Sequence, residues 1–126
     1  MKWMDYNPNP KGRRVEDCAV RAVAKALEMP WRDVYIMIAA QGLADGDMMH
    51  SDAVWGRVLA NHGFKRFAVP NRCPDCYTAE DFAADHPQGT YVLGFGGHTA
   101  TIKNGILYDA WDSLSLVPQY YWYRRY

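Results

Sequence analysis

The sequence predicts an α+β fold in which helices come first and an antiparallel sheet follows, and three observations carry this. Apolar residues recur at helical spacing in three stretches before Gly63. The run Thr90-Tyr91-Val92-Leu93-Gly94-Phe95 is almost continuously apolar, as expected of a strand buried on both faces. Asn104-Gly105, set between two β-prone runs, marks a tight type I′ hairpin. Helices followed by strands, rather than strands alternating with helices, is the α+β order. A chain of 126 residues is long enough for one hydrophobic core and short for two, so a single domain is expected over 1–126, with 1–14 as an N-terminal arm.

Taken in order, the arm carries Asn7-Pro8-Asn9-Pro10 and Lys11-Gly12, which no helix can cross. Val15, Ala19, Ala22, Val23 and Ala26 then define a helix from about Val15 to Glu28, with Cys18 in phase with Ala22 and with Arg21 and Lys25 on the other face. Asp17 suits its N-cap, which places Cys18 in the first turn. A second helix opens after Pro30, carries Trp31, Val34, Tyr35, Ile38 and Ala39, and ends at Gln41-Gly42. Residues 43–50 read as a loop. Ser51 caps a third helix with a core face of Val54, Trp55, Val58 and Leu59, stopped by Gly63. Phe64, Phe67 and Val69 give a strand closed by Pro70, and Thr78-Ala79-Glu80-Asp81 caps a short fourth helix. The strand at Thr90, the Asn104-Gly105 hairpin and one edge strand from the tyrosine-rich tail, Val117 to Tyr126, complete the sheet.

Composition narrows the function classes. Fourteen basic side chains balance fourteen acidic ones, which argues against nucleic acid or an anionic membrane as partner. No apolar run reaches the roughly 18 residues that span a bilayer, and the N-terminus lacks the apolar core of a signal peptide. Three cysteines, an odd count, fit a reducing compartment better than a disulfide framework, so the expected setting is the cytoplasm and at least one thiol is free.

The residues with chemistry are Cys18 and His98. A thiol at a helix N-terminus has its thiolate favoured, and a thiolate attacks carbonyls where a thiol does not. His98 follows Gly96-Gly97 and opens a strand whose partner carries Asp109 and Asp112. A cysteine nucleophile, a histidine base and an orienting acid are the parts of nucleophilic acyl transfer. The register of the hairpin selects the acid. With a two-residue turn at Asn104-Gly105, Lys103 pairs with Ile106 and Asp109 shares the face of His98. With a bulge at Gly105, Asp112 moves onto that face instead.

Asp17-Cys18 at an early helix, Gly97-His98 opening a strand eighty residues on, and Asp112-Ser113 after the next strand resemble the papain-like cysteine peptidases. The likeness is greatest to their compact forms, the Josephin-type deubiquitinases and the bacteriocin-leader-processing peptidases. The resemblance implies a papain-like fold and a cysteine hydrolase acting on a peptide or protein substrate without a cofactor. It assigns Cys18 as nucleophile, His98 as base and Asp112 as orienter, with Asp109 as the alternative acid. Those enzymes carry an oxyanion-stabilising glutamine five or six residues before the cysteine, where this chain has Arg13 and Gly12. Asn7, Asn9 or Arg13 is the expected substitute, beside the backbone N–H of Cys18.

Cys73-Pro74-Asp75-Cys76 supports a rival reading, a catalytically inactive papain-like binding module with a structural zinc on Cys73 and Cys76. A Cys-x-x-Cys is half of a zinc site, and no second one is present; two small residues tucked under a tight loop is the simpler expectation, with no metal. Gly94-Phe95-Gly96-Gly97 lacks the lysine and the following helix of a phosphate loop. Asp45, Asp47, His50 and Asp52 read as solvated turn and first-turn residues rather than ligands.

Overall fold

The computed structural model describes residues 2–125; Met1 and Tyr126, the extreme ends of the expected arm and tail, lie outside the described residues. The elements run β1 (Trp3–Asp5), α1 (Cys18–Leu27), α2 (Trp31–Asp45), α3 (Asp52–Asn61), β2 (Lys65–Ala68), α4 (Ala79–Asp85), β3 (Thr90–Gly94), β4 (Thr99–Lys103), β5 (Ile106–Asp109) and β6 (Tyr120–Arg124). The fold is α+β: helices pack on a six-stranded sheet of order β1-β5-β4-β3-β6-β2. Alternation along β3 divides the core. Val92 faces α1, α2 and α3 together with Tyr120, Ala22, Val23, Ile38 and Trp55. Tyr91 and Leu93 face the other way, onto Phe82 and Ala83 of α4 with Ile102 and Leu107. The apolar run at Thr90 is thus buried on both faces because helices cover both.

Three expectations are corrected. The sheet is mixed rather than antiparallel, because the arm contributes β1, which pairs parallel to β5 with Trp3 against Leu107. Trp3 packs against the core on the α4 side, and that burial ties down a segment whose prolines only exclude helix. The tail strand β6 is interior, between β3 and β2, rather than an edge. Tyr120 and Trp122 pack on the α1–α3 side while Tyr121 and Tyr123 pack on the other, and a strand with aromatic side chains on both faces needs cover on both. Finally, α2 runs through Gly42 to Asp45 and is stopped by Gly46, whose φ of +68° is the left-handed cap. Gly42 serves the return of the chain instead: a Cβ there would lie 2.8 Å from the Asp47 carbonyl oxygen.

Cys73 and Cys76 are joined as a disulfide in the loop between β2 and α4. In this state they offer zinc no thiolate pair, so the zinc site of the rival reading is not formed, and the two are bonded rather than merely tucked together. Cys18 is the free thiol. No helix among the described residues is long and apolar enough to cross a membrane.

Candidate active site

Cys18 is the first residue of α1, three positions later than the expected start at Val15. Asp17 holds the N-cap position, yet its side chain makes no capping hydrogen bond. Its carboxylate instead accepts from the Arg21 guanidinium and, at 2.8 Å, from the Trp31 indole N–H. The first N–H groups of the helix therefore point from Cys18 without an internal acceptor, and the positive end of the helix dipole lies at the thiol. Arg21, expected on the solvent face, is only 5% exposed. The reason is electrostatic: it is drawn inward by two buried carboxylates, Asp17 and Asp109.

His98 reaches the thiol from a second hairpin. Phe95 N–H donates to the His98 carbonyl at 2.8 Å across Gly96-Gly97, whose φ values of +76° and +88° are those of a two-residue turn that demands glycine. Those glycines link β3 to β4 and so fix where the histidine emerges. The imidazole lies between Phe95, at 5.9 Å between ring centroids, and Trp111, at 4.8 Å. Its Nε2 is 2.7 Å from Oδ2 of Asp109, and the ring lies near enough to the Cys18 thiol for each to shift the other's proton affinity. The Thr99 backbone N–H also neighbours the sulfur and favours its charged form.

The acid beside His98 is Asp109 and not Asp112. The hairpin has the two-residue turn, with Lys103 opposite Ile106 and Thr101 opposite Tyr108, and no bulge carries Asp112 across. Asp109 is fully buried. Besides His98 it accepts from Arg21 Nη2 at 2.9 Å, from the Ser113 hydroxyl at 2.6 Å and from the Ala110 N–H at 2.8 Å. Asp112 is exposed, and its carboxylate accepts from Leu114 N–H in the following turn. Of the pair Asp112-Ser113, it is the serine that enters the site.

These contacts set the proton affinities. Burial pushes the Cys18 thiol up, but the hydrogen bond from His98, the Thr99 N–H and the charges of His98 and Arg21 outweigh it and bring the thiol below its usual 9.0. Burial depresses His98, and its bonds to Asp109 and Cys18 more than reverse this, raising it from 6.5 to about 9. Burial opposes the charge on Asp109 too, yet His98, Ser113 and Arg21 hold its carboxyl below 3.8. The arrangement favours a thiolate facing an imidazolium, in a site that keeps the acid ionised.

Of the expected oxyanion donors, Asn7 is engaged elsewhere and Arg13 is exposed, whereas in Asn9 the occupied atom is the carboxamide oxygen and not the Nδ2 donor. Asn7 Nδ2 donates to the carbonyls of Gly12 and Arg13, the Asn9 carboxamide oxygen accepts from Lys11 N–H at 2.9 Å, and Arg13 is exposed. The backbone N–H of Cys18, at the start of α1, is the remaining donor beside the nucleophile. Sequence reading missed Arg21 and Ser113; the i,i+4 spacing of Asp17 and Arg21 was the available signal for the first. No family model matches the chain, and neither does any curated protein or solved structure.

Proposed function

We propose that the protein is a cysteine hydrolase that cleaves an amide or isopeptide bond of a peptide or protein substrate with Cys18, His98 and Asp109. The observation that carries this is the imidazole of His98, bonded through Nε2 to a buried carboxylate and neighbouring a thiol at a helix N-terminus. The thiolate attacks the carbonyl carbon; a C–S bond forms and the carbonyl π pair moves to oxygen, beside the Cys18 N–H. Collapse expels the amine, which takes its proton from the His98 imidazolium. Neutral His98 then accepts a proton from water as the water attacks the thioester, and the thiolate leaves with the acid product. An amine in place of water makes the same site an acyltransferase.

In this proposal Asp109 orients His98 and stabilises its charged form, the role the family resemblance gave to Asp112. Arg21 holds Asp109 from behind and ties it to Asp17, the residue before the nucleophile. The papain-like character of the fold belongs to the same proposal, supported by the order cysteine, histidine, acid and by a nucleophile on the first helix. The proposed setting is a reducing compartment, the cytoplasm, which suits a free catalytic thiol; the Cys73–Cys76 bridge is the feature that favours an oxidising one.

Labelling with iodoacetamide near neutral pH, followed by peptide mass mapping, tests the nucleophile. Cys18 takes the label in the native protein and Cys18→Ala takes none. Label found on Cys73 or Cys76 with Cys18 untouched removes the basis for the reading.

A further inference from the structure

A groove of about 490 Å³ lies between α3 and the β6–β2 side of the sheet. Register explains its walls. Arg66 is opposite Trp122 and Ala68 opposite Tyr120, so these four share the face turned towards α3. On α3 the facing positions are the small Ala53, Gly56 and Ala60, and a Cβ on Gly56 would sit 2.7 Å from the Trp122 ring. The result is an aromatic floor beneath a low helical wall.

One end of the groove adjoins the nucleophile. Tyr120, Gly94 and Thr99 stand level on three neighbouring strands, and the Thr99 backbone contacts the Cys18 sulfur. Gly94 makes the approach possible, because a Cβ there would lie 2.1 Å from the Tyr120 ring. The Tyr120 hydroxyl donates to Asp52 at 2.7 Å, which pins the ring at the junction.

The charges in the groove are unequally satisfied. Arg57 donates to Asp45 at 3.2 Å, and Asp52 is occupied by Tyr120. Arg66 lies 4.0 Å over the Tyr120 ring and, among the described residues, pairs with no carboxylate. A guanidinium stacked on an aromatic face keeps its planar fork of donors free, and that fork matches a carboxylate.

We propose that this groove binds an acidic residue of the substrate, adjacent in sequence to the bond presented to Cys18, through a carboxylate on Arg66 with the peptide laid over Tyr120 and Trp122. This rests on the hydrolase reading for the word substrate, while the binding itself does not require turnover. The groove thus makes acidic flanking sequence a determinant of which bonds reach the thiolate.

The test is a titration of ¹⁵N-labelled Cys18→Ala protein with acetyl-tetraglutamate, acetyl-tetraglutamine and acetyl-tetralysine amides, following the Trp122 indole and Arg66 Nε–H signals. The glutamate peptide shifts both signals saturably and binds about threefold to fivefold more tightly than the glutamine peptide, the range of one exposed ion pair. Arg66→Gln abolishes that preference, Arg66→Lys keeps part of it, and Arg32→Gln on α2 leaves it intact. Equal binding of the three peptides, shifts confined to other residues, or no saturable shift overturns the proposal. Iodoacetamide labelling of the unsubstituted protein reports separately on the hydrolase reading: an inert Cys18 defeats that reading while the peptide titration still decides the groove.

Discussion

Asp109 and Asp112 stand three residues apart, and the difference between them is the difference between a buried hub and a solvated turn. Asp109 carries four hydrogen-bond partners, one of them the buried Arg21. Breaking a buried charge pair by removing one partner costs about 3–5 kcal/mol, since the remaining charge stays uncompensated. Asp109→Ala is therefore expected to lower the urea midpoint and, in protein still folded, to slow acylation of Cys18 about 10²-fold or more, the usual scale of acid–base assistance. Asp112→Ala is expected to leave both within error, and Asp109→Asn separates shape from charge by retaining the first alone. Stopped-flow acylation with an activated ester, alongside denaturation curves, reads both quantities; equal effects at the two positions would overturn the assignment. Cys18 and His98 could be singled out from the sequence because a helix start and a strand opened by Gly-Gly-His are local signals. The acid could not be chosen, since one residue of hairpin register decides it and register is settled by packing across the whole sheet.

At the level of elements, helices α1, α3 and α4 and the Asn104-Gly105 hairpin were legible because amphipathic spacing and Asn-Gly, Thr-x-x-Asp and Gly signals are short-range. β1 was not, for a three-residue strand has no periodicity, and its place beside β5 depends on Trp3 finding the distant core around Leu107. The solvent-face reading of Arg21 failed for a similar reason: helical phase gives direction relative to neighbours on the helix, but one of the two carboxylates that pull Arg21 inward, Asp109, is 88 residues away. The element that most depends on a single small residue is β3. Gly94→Ala drives a Cβ into the Tyr120 ring, an overpacking worth about 1–3 kcal/mol, and displaces the ring at the junction of site and groove. Its expected signature is a lower urea midpoint with altered tryptophan fluorescence from Trp55 and Trp122. A midpoint equal to that of the unsubstituted protein would show that Tyr120 does not lie over the strand.

Across the whole molecule, the two-faced sheet delivers parts that no single segment holds. The helical layer presents Cys18, the β3–β4 turn presents His98, and the β4–β5 hairpin presents Asp109, with Arg21 bonded to both the helix start and the acid. The consequence is electrostatic. A histidine raised to about 9 keeps its proton at neutral pH, and a cysteine lowered from 9.0 gives its own up more readily than an ordinary thiol. The charged pair thus persists from the lowered cysteine pKa up to about pH 9, and the proposed hydrolysis is expected to fall on either side as the thiolate is protonated or the imidazolium is lost. The most direct check is the thiolate absorbance at 240 nm across pH, taken as the difference between the unsubstituted protein and Cys18→Ala, and repeated in a His98→Ala background. The expected result is thiolate absorbance that rises below the ordinary thiol pKa of 9.0 and moves upward when His98 is removed. A single rise at the ordinary thiol pKa, unchanged by His98→Ala, would contradict it.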